Sequence, residues 1–461
     1  MMGQHSGNQD RLFYAFNLND HVPLDHLLRG IDRFLDLNDL RKHLTPFYSH
    51  TGRPSVDPEL MMRMLIIGYC FGIRSERRLC EEVHLNLAYR WFCRLGLEDQ
   101  VPDHSTFSKN RHGRFRESDA FRYVFEEVLA RCIAEGLVGG EGFAVDASVV
   151  KADASRRRHC DTDDDDWGAG GGTRAVREYL AALDDAEPST GQPVKKVSAT
   201  DPSASWTSAP GGPAFYAYAT NYLVDTDAGI IVDVEASAVN HAQETGASKA
   251  MIERVEERFA IRPKKLIGDT TYGAAAMLAW LVQDKGIEPH VPVWEKGERR
   301  DGTFSRSDFM FDLASDTYTC PGGKDLKRYR RAFRRERSGI QKDQTIKYRA
   351  SELDCRACAL KAQCCPNAPA RKLTRSVHEA ARDVARGLAK TPAYRQSRRE
   401  RKKVEVLFAH MKRVLRLDRL RLRGLSGARD EFLLTATAQN LRRMAKCLGT
   451  GPPSALAGAL A

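Results

Sequence analysis

The hydrophobic period of the chain changes near residue 140, and that change limits the fold more than any other feature. Before it, apolar residues recur at helical spacing. After it comes FAVDASVVKA, a short β-rich run from Phe143 with one carboxylate, Asp146, inside it. A chain of 461 residues has room for two or three cores, and the two periods call for a helical region followed by an α/β region. Hydrophobic content of 42% with 29% charged residues is that of a folded protein rather than a disordered one. No run of eighteen uncharged apolar residues is present, which argues against a membrane-spanning helix. The opening MMGQHSGNQD has no apolar stretch of the signal-peptide kind, so a cytoplasmic location is expected.

In the helical part, Asp57 is placed to cap a helix with Pro58 at its first position, followed by LMMRMLIIGYCFG. A second helix is expected after Ser75 through RRLCEEV, and a third over Ser105 to Arg114, carrying Lys109, Asn110, Arg111 and Arg114. Short helices joined by tight turns, the last polar and basic, suit a helix-turn-helix reader of DNA, with Lys109 and Arg111 as contacts.

From Arg156 to Pro213 the composition turns polar, with DTDDDD at 161–166 and GAGGG at 168–172. Consecutive like charges in a glycine-rich setting read as a solvated loop rather than a metal site, with a short helix over Thr173 to Asp184. Strands follow near Phe215 to Val224 and Ile230 to Ala236, joined by the turn Asp225–Gly229. A helix over Ala247 to Arg258, the strand KKLIGD, the helix AAAMLAWLVQDKG and the strand EPHVPVW complete a β-β-β-α-β-α-β run. Residues 296–385 interrupt it with a basic, cysteine-bearing stretch. Long helices return over Thr391 to Leu417 and Ala428 to Cys447.

The net charge is +11, and residues 395–423 hold twelve Lys or Arg against Glu400, Glu405 and Asp418. Such a balance favours a polyanionic partner, because each phosphate neutralised releases condensed counterions. Of the eleven cysteines, Cys70, Cys80, Cys93 and Cys132 fall in apolar helical patterns and read as buried thiols. Cys355-x2-Cys358 is followed by Cys364 and Cys365 and preceded by Cys320. The C-x2-C half-site makes Cys320, Cys355, Cys358 and Cys364 a candidate structural zinc site, the alternative being reduced thiols without metal.

Three carboxylates stand out. Asp146 sits inside an apolar strand, where an ionised group is costly unless paired or bound to metal. Asp269 ends the strand KKLIGD, at the edge where open α/β sheets bind ligands. On the helix after Thr391, taking Arg401 as the origin at about 100° per residue, Lys412 lies near 20° and Glu405 near 40°, beside an apolar face of Val404, Phe408, Met411 and Leu415. Three acids drawn from distant segments are enough for a two-ion site of phosphodiester cleavage, since magnesium keeps much of its water.

Taken together, HVPLDHLLRGIDRFLDL, TGRPSVDPELMMRMLIIGYCFGIRSERRL, VPDHSTFSKNR, FAVDASVVKADAS, LIGDTTYG and VEVLFAHMKRVLRLDRLRLRGL resemble the DDE transposases of bacterial insertion sequences. The resemblance covers nearly the whole chain. It implies an RNase H-like catalytic domain with a mixed sheet, preceded by an all-helical, InsH-like N-terminal domain. The expected segments are a helical DNA-binding domain at 1–138, the catalytic domain at 139–295 and 386–450, and a basic cysteine-containing insertion at 296–385. Arg401, Glu405 and Lys412 match the Arg, Glu and Lys of the family pattern Tyr-x2-Arg-x3-Glu-x6-Lys; its Tyr position holds Arg398. The resemblance further implies cleavage at element ends and strand transfer, with Asp146, Asp269 and Glu405 holding two Mg2+ or Mn2+ ions. Arg401, Lys412 and Arg398 would contact phosphates of double-stranded terminal repeats and target DNA. His241 and Tyr272 are further candidates to line the site. A homodimer or larger assembly on DNA is expected, since two element ends must be joined. The alternatives are an RNase H-like nuclease without strand transfer and a DNA-binding regulator derived from a transposase.

Overall fold

The computed structural model describes residues 16–49, 51, 55–157, 159–160, 173–184, 197–208, 211–295, 299, 301–329 and 339–449. The Asp-rich run at 161–166 and the Gly-rich run at 168–172 lie outside them. Contacts divide the chain into two units: Met1–Gly140, Val145–Arg262 and Lys402–Ala461 form the first, and Glu141–Ala144 with Pro263–Arg401 the second. This division runs differently from the four segments expected above, because the N-terminal helices group with the strands that follow and with the last helix.

The N-terminal helices begin where the caps place them. Helix α1 is Leu27–Phe34; α2, Pro58–Cys70, starts at Asp57, whose side chain accepts from the Glu59 amide at 2.8 Å. Helix α3, Glu76–Leu85, is capped by Ser75, and α4, His104–Asn110, by Asp103. Helix α2 is apolar nearly all round and buried accordingly. Its one arginine, Arg63, is paired inside with Asp32 and Glu59. Helix α5, Ala120–Ala134, closes this region.

Strand β1, Gly142–Lys151, is followed by β2, Ser205–Ser208, β3, Ala214–Asp225, and β4, Ile231–Ser237. β3 pairs antiparallel with both β2 and β4 and neighbours β1. The β3–β4 turn is the one the sequence specifies: the Asp225 carboxylate accepts from the Asp227 and Ala228 amides, and Gly229 takes φ +71°. Helix α6, His241–Phe259, begins six residues earlier than its apolar pattern, because the Asn240 side chain caps it through the Gln243 amide at 2.8 Å.

In the second unit, Gly142–Ala144 pair in parallel with β5, Lys265–Ile267. After the short helix α7, Ala275–Ala279, strand β6, Glu288–His290, pairs in parallel with β5. Where the sequence offered only a basic, cysteine-bearing stretch, the chain builds a five-stranded antiparallel sheet. Its strands are β7, Met310–Asp312, β8, Thr317–Thr319, β9, Asp325–Arg328, β10, Thr345–Ala350, and β11, Lys372–Ser376, in the order β11-β10-β9-β8-β7. Phe309, Tyr318, Leu326, Tyr348 and Leu373 form its core with Cys364 and Cys365. Helix α8, Glu379–Leu388, follows.

Helix α9, Pro392–Arg413, passes from the second unit into the first, and α10, Gly424–Cys447, completes the first. α9 ends four residues before the expected Leu417, and Arg416 beyond it holds φ +56°. α10 is the first unit's central helix, buried along its length against α1, α2, α5 and β4. Two of its buried polar side chains bond to backbone. The Asn440 side chain bonds both backbone groups of Ile231 at 2.8 Å, and the Glu431 carboxylate takes the Arg421 and Leu422 amides at 2.6 and 2.5 Å.

Candidate active site

Asp146 lies in the middle of β1, between the buried Val145 and the half-buried Ala147, and is itself half-buried. Its Oδ1 accepts from the Ala147 amide at 2.9 Å. In the second unit, Asp269 leaves β5 and caps the 3₁₀ turn Thr270–Gly273 through the Thr271 amide at 2.8 Å. Glycines fix this turn on both sides. A Cβ on Gly268 would stand 2.8 Å from the Tyr272 ring, and one on Gly273 would stand 1.9 Å from the Pro292 carbonyl oxygen. Tyr272 is buried against Gly268 and packs the turn from beneath.

Within the first unit, the second half of α9 crosses the strands. Its Phe408 ring lies 5.5 Å from that of Tyr222 on β3, and Lys403 Nζ donates to the Thr226 carbonyl at 2.8 Å. Lys412 Nζ donates to the Val149 carbonyl on β1 at 3.1 Å, and burial pulls its ammonium below the ordinary value. Val404, Met411 and Leu415 are buried, Lys412 is half-buried and Glu405 is exposed. Glu405 thus stands further out than the border of the packed face that the helical wheel assigns to it.

Arg401 and Arg398 stand on the part of α9 that belongs to the second unit, Arg401 half-buried and Arg398 exposed. Tyr394, one turn before Arg398, packs beside the His290 ring, and His290 Nδ1 meets the Ser397 hydroxyl at 2.7 Å. His241 is exposed at the start of α6, near the Glu244 carboxylate.

Two expectations need correction. Arg111 has no surface from which to touch DNA: it is buried, bonded to Glu76 and to the Tyr69 hydroxyl at 2.8 Å each. The helix there continues as a π-turn, Arg111–Phe115, which turns Arg111 inward with Phe115; Lys109 stays exposed. The zinc site also finds no support. Cys364 and Cys365 belong to the core of the five-stranded sheet, and the Cys364 thiol is pushed up to about 11 by burial and by Cys365 beside it. Cys320 and Cys358 flank Gly322, and Cys355 is also pushed up by burial. Among the described residues, no three His, Cys, Asp or Glu side chains are gathered closely enough to hold a metal ion.

What the sequence reading missed is a second set of cations. Arg74 and Arg78, at the start of α3, line a cleft of the first unit with Lys412, Arg416, Arg419 and Arg421. The run of basic residues at 395–423 signalled half of it. The other half hides in the turn Gly72-Ile73-Arg74-Ser75, where one arginine carries no pattern.

A transposase domain (DUF772) matches residues 16–113, and a transposase DDE domain matches residues 319–445. No curated protein and no solved structure gives a significant match. The two matches support an insertion-sequence DDE transposase, a class whose activity implies DNA as substrate. Glu405, Arg401 and Lys412 lie within the second match; Asp146 and Asp269 lie outside both. No helix among the described residues is long and apolar enough to cross a membrane.

Proposed function

We propose that the chain is a DNA transposase that cleaves at element ends and transfers the strand into target DNA, with Asp146, Asp269 and Glu405 as its metal-holding carboxylates. The observation that carries this reading is the contact between Lys412 and Val149. The helix that bears Glu405 is tied there to the strand that bears Asp146. Further along, the Leu420 amide bonds the Lys151 carbonyl at 2.7 Å, so chain and strand advance in the same sense.

The donor chemistry suits the reaction. Carboxylate oxygens are the hard ligands that Mg2+ and Mn2+ prefer, and Asp146 and Asp269 each have one oxygen oriented by a backbone amide. A bound pair of such ions supplies activation of the attacking oxygen and stabilisation of the leaving one. The reading assigns all three acids to the ions. Arg398, Arg401, Lys412 and Lys109 serve as phosphate contacts, positioning the strand without reading its sequence. No side-chain nucleophile is required, so no covalent protein–DNA intermediate forms. The antiparallel β2, β3 and β4, with the parallel β5 and β6 following β1 in sequence, support an RNase H-like domain. Two element ends call for at least a dimer on DNA.

The test is incubation with DNA carrying the flanking terminal repeats, in Mg2+ and in chelator. Joined products that need Mg2+ are expected; cleavage without joining would make the protein a nuclease, and no cleavage would overturn the reading.

A further inference from the structure

The cleft lined by Arg74, Arg78, Lys412, Arg416, Arg419 and Arg421 has a volume of about 770 Å3 and only two acids, Asp153 and Asp418, in its wall. That size lies within the range that seats a ligand. One wall is the α2–α3 turn. Gly72 takes φ +68° there, and a Cβ on it would stand 2.8 Å from the carbonyl oxygen of Val414, the residue after α9, so only a glycine lets the turn come this close. The other wall is the segment after α9, fixed by the Arg421 and Leu422 amides on Glu431.

The cations divide into those already paired and those awaiting a partner. Arg419 meets Asp153 at 3.2 Å and Arg78 meets Glu82 at 3.1 Å. Arg74 is the telling one. Its side chain is 6% exposed and Nη2 is bound to Glu431, yet Nη1 is buried with no hydrogen-bond partner among the described residues. A buried donor left unmade costs about 1–3 kcal/mol, a loss that an incoming oxyanion removes. Arg416 and Arg421 stand exposed at the rim. Guanidinium groups drawn from both walls of one cleft suit the oxygens of a phosphodiester.

We propose that this cleft seats a backbone phosphate of the DNA substrate, with Arg74 at its floor and Arg416 and Arg421 at its rim. The assignment rests on the transposase reading and adds to it contacts from Arg74, Arg416 and Arg421, which lie outside α9 and beside its Lys412. It joins the N-terminal helices and the segment after α9 in one grip on the strand.

The experiment measures binding of a labelled DNA duplex across a salt series, for wild type and for Arg416→Gln/Arg421→Gln, with thermal melting as a check on folding. Each phosphate contact contributes about 0.9 to the slope of log K against log salt. The double variant is expected to lose roughly one to two units of slope and to melt as wild type does. Arg74→Gln, read in the same way, is expected to add a further loss of affinity. Wild-type slope and affinity in the rim variant would overturn the cleft while leaving the transposase reading in place. No duplex binding by wild type would overturn both. Displacement of the duplex by millimolar inorganic phosphate at constant ionic strength would make this a small-anion site and overturn the DNA assignment.

Discussion

Around Glu379 in the second unit, Arg306, Arg382 and Arg386 close on one buried carboxylate, with Glu295 bound to the same three arginines. In the cleft of the first unit, six cations face two acids, and one buried guanidinium nitrogen is left without a partner. The same residue type serves opposite ends. The first cluster is matched by its own carboxylates and holds structure together; the second carries more cations than carboxylates, the excess that the proposed phosphate would meet. Arginine counts along the sequence do not separate the two cases, because what differs is where the carboxylates fall in the fold.

The largest effect expected from breaking this contrast is at Glu379. Glu379→Ala leaves Arg306, Arg382 and Arg386 with the more exposed Glu295 as their shared carboxylate and should destabilise the second unit by about 3 kcal/mol, the low end of the usual loss when one partner of a buried ion pair is removed, measured by denaturant unfolding. The same carboxylate gives an acid dependence. Burial works to raise its pKa, but Arg306, Arg386 and Arg382 outweigh burial and hold it down at about 2, against an ordinary 4.5. A depressed carboxylate contributes in full above its unfolded value, so that stability should fade as pH drops from 4.5 toward 2. Glu379→Gln should flatten that part of a stability–pH profile, and an unchanged profile would remove the cage from the account. In the first unit, Gly72→Ala combines a left-handed backbone with a clash on Val414 and should cost about 1–3 kcal/mol by thermal melting. Smallest of all, Arg416→Gln/Arg421→Gln should shift stability by no more than about 0.5 kcal/mol; a larger loss would mean that these arginines are structural like those around Glu379.

Much of the fold was legible because local chemistry and final structure agree. Asp57 and Ser75 cap the helices they were expected to cap, and Asp225 builds its turn. The buried face of Val404, Met411 and Leu415 followed from the period of one long helix. What was not legible depends on partners far away in sequence. The antiparallel sheet over 310–376 has strands of three to six residues, too short for alternation to stand out, and its cysteines read as metal ligands because spacing alone does not reveal a hydrophobic core around them. Arg111 looked like a surface cation on a basic helix, but the π-turn rotates it onto Glu76 and Tyr69. Arg74 gained its meaning only when Glu431, 357 residues away in sequence, came to lie beside it.

The most direct test of the central claim is Mg2+-dependent cleavage of terminal-repeat DNA by wild type, Asp146→Asn, Asp269→Asn and Glu405→Gln, with duplex binding and thermal melting followed in parallel. The account predicts that each substitution abolishes cleavage while binding and folding persist. Cleavage at the wild-type rate by any one of the three would remove that residue from the site and contradict the triad.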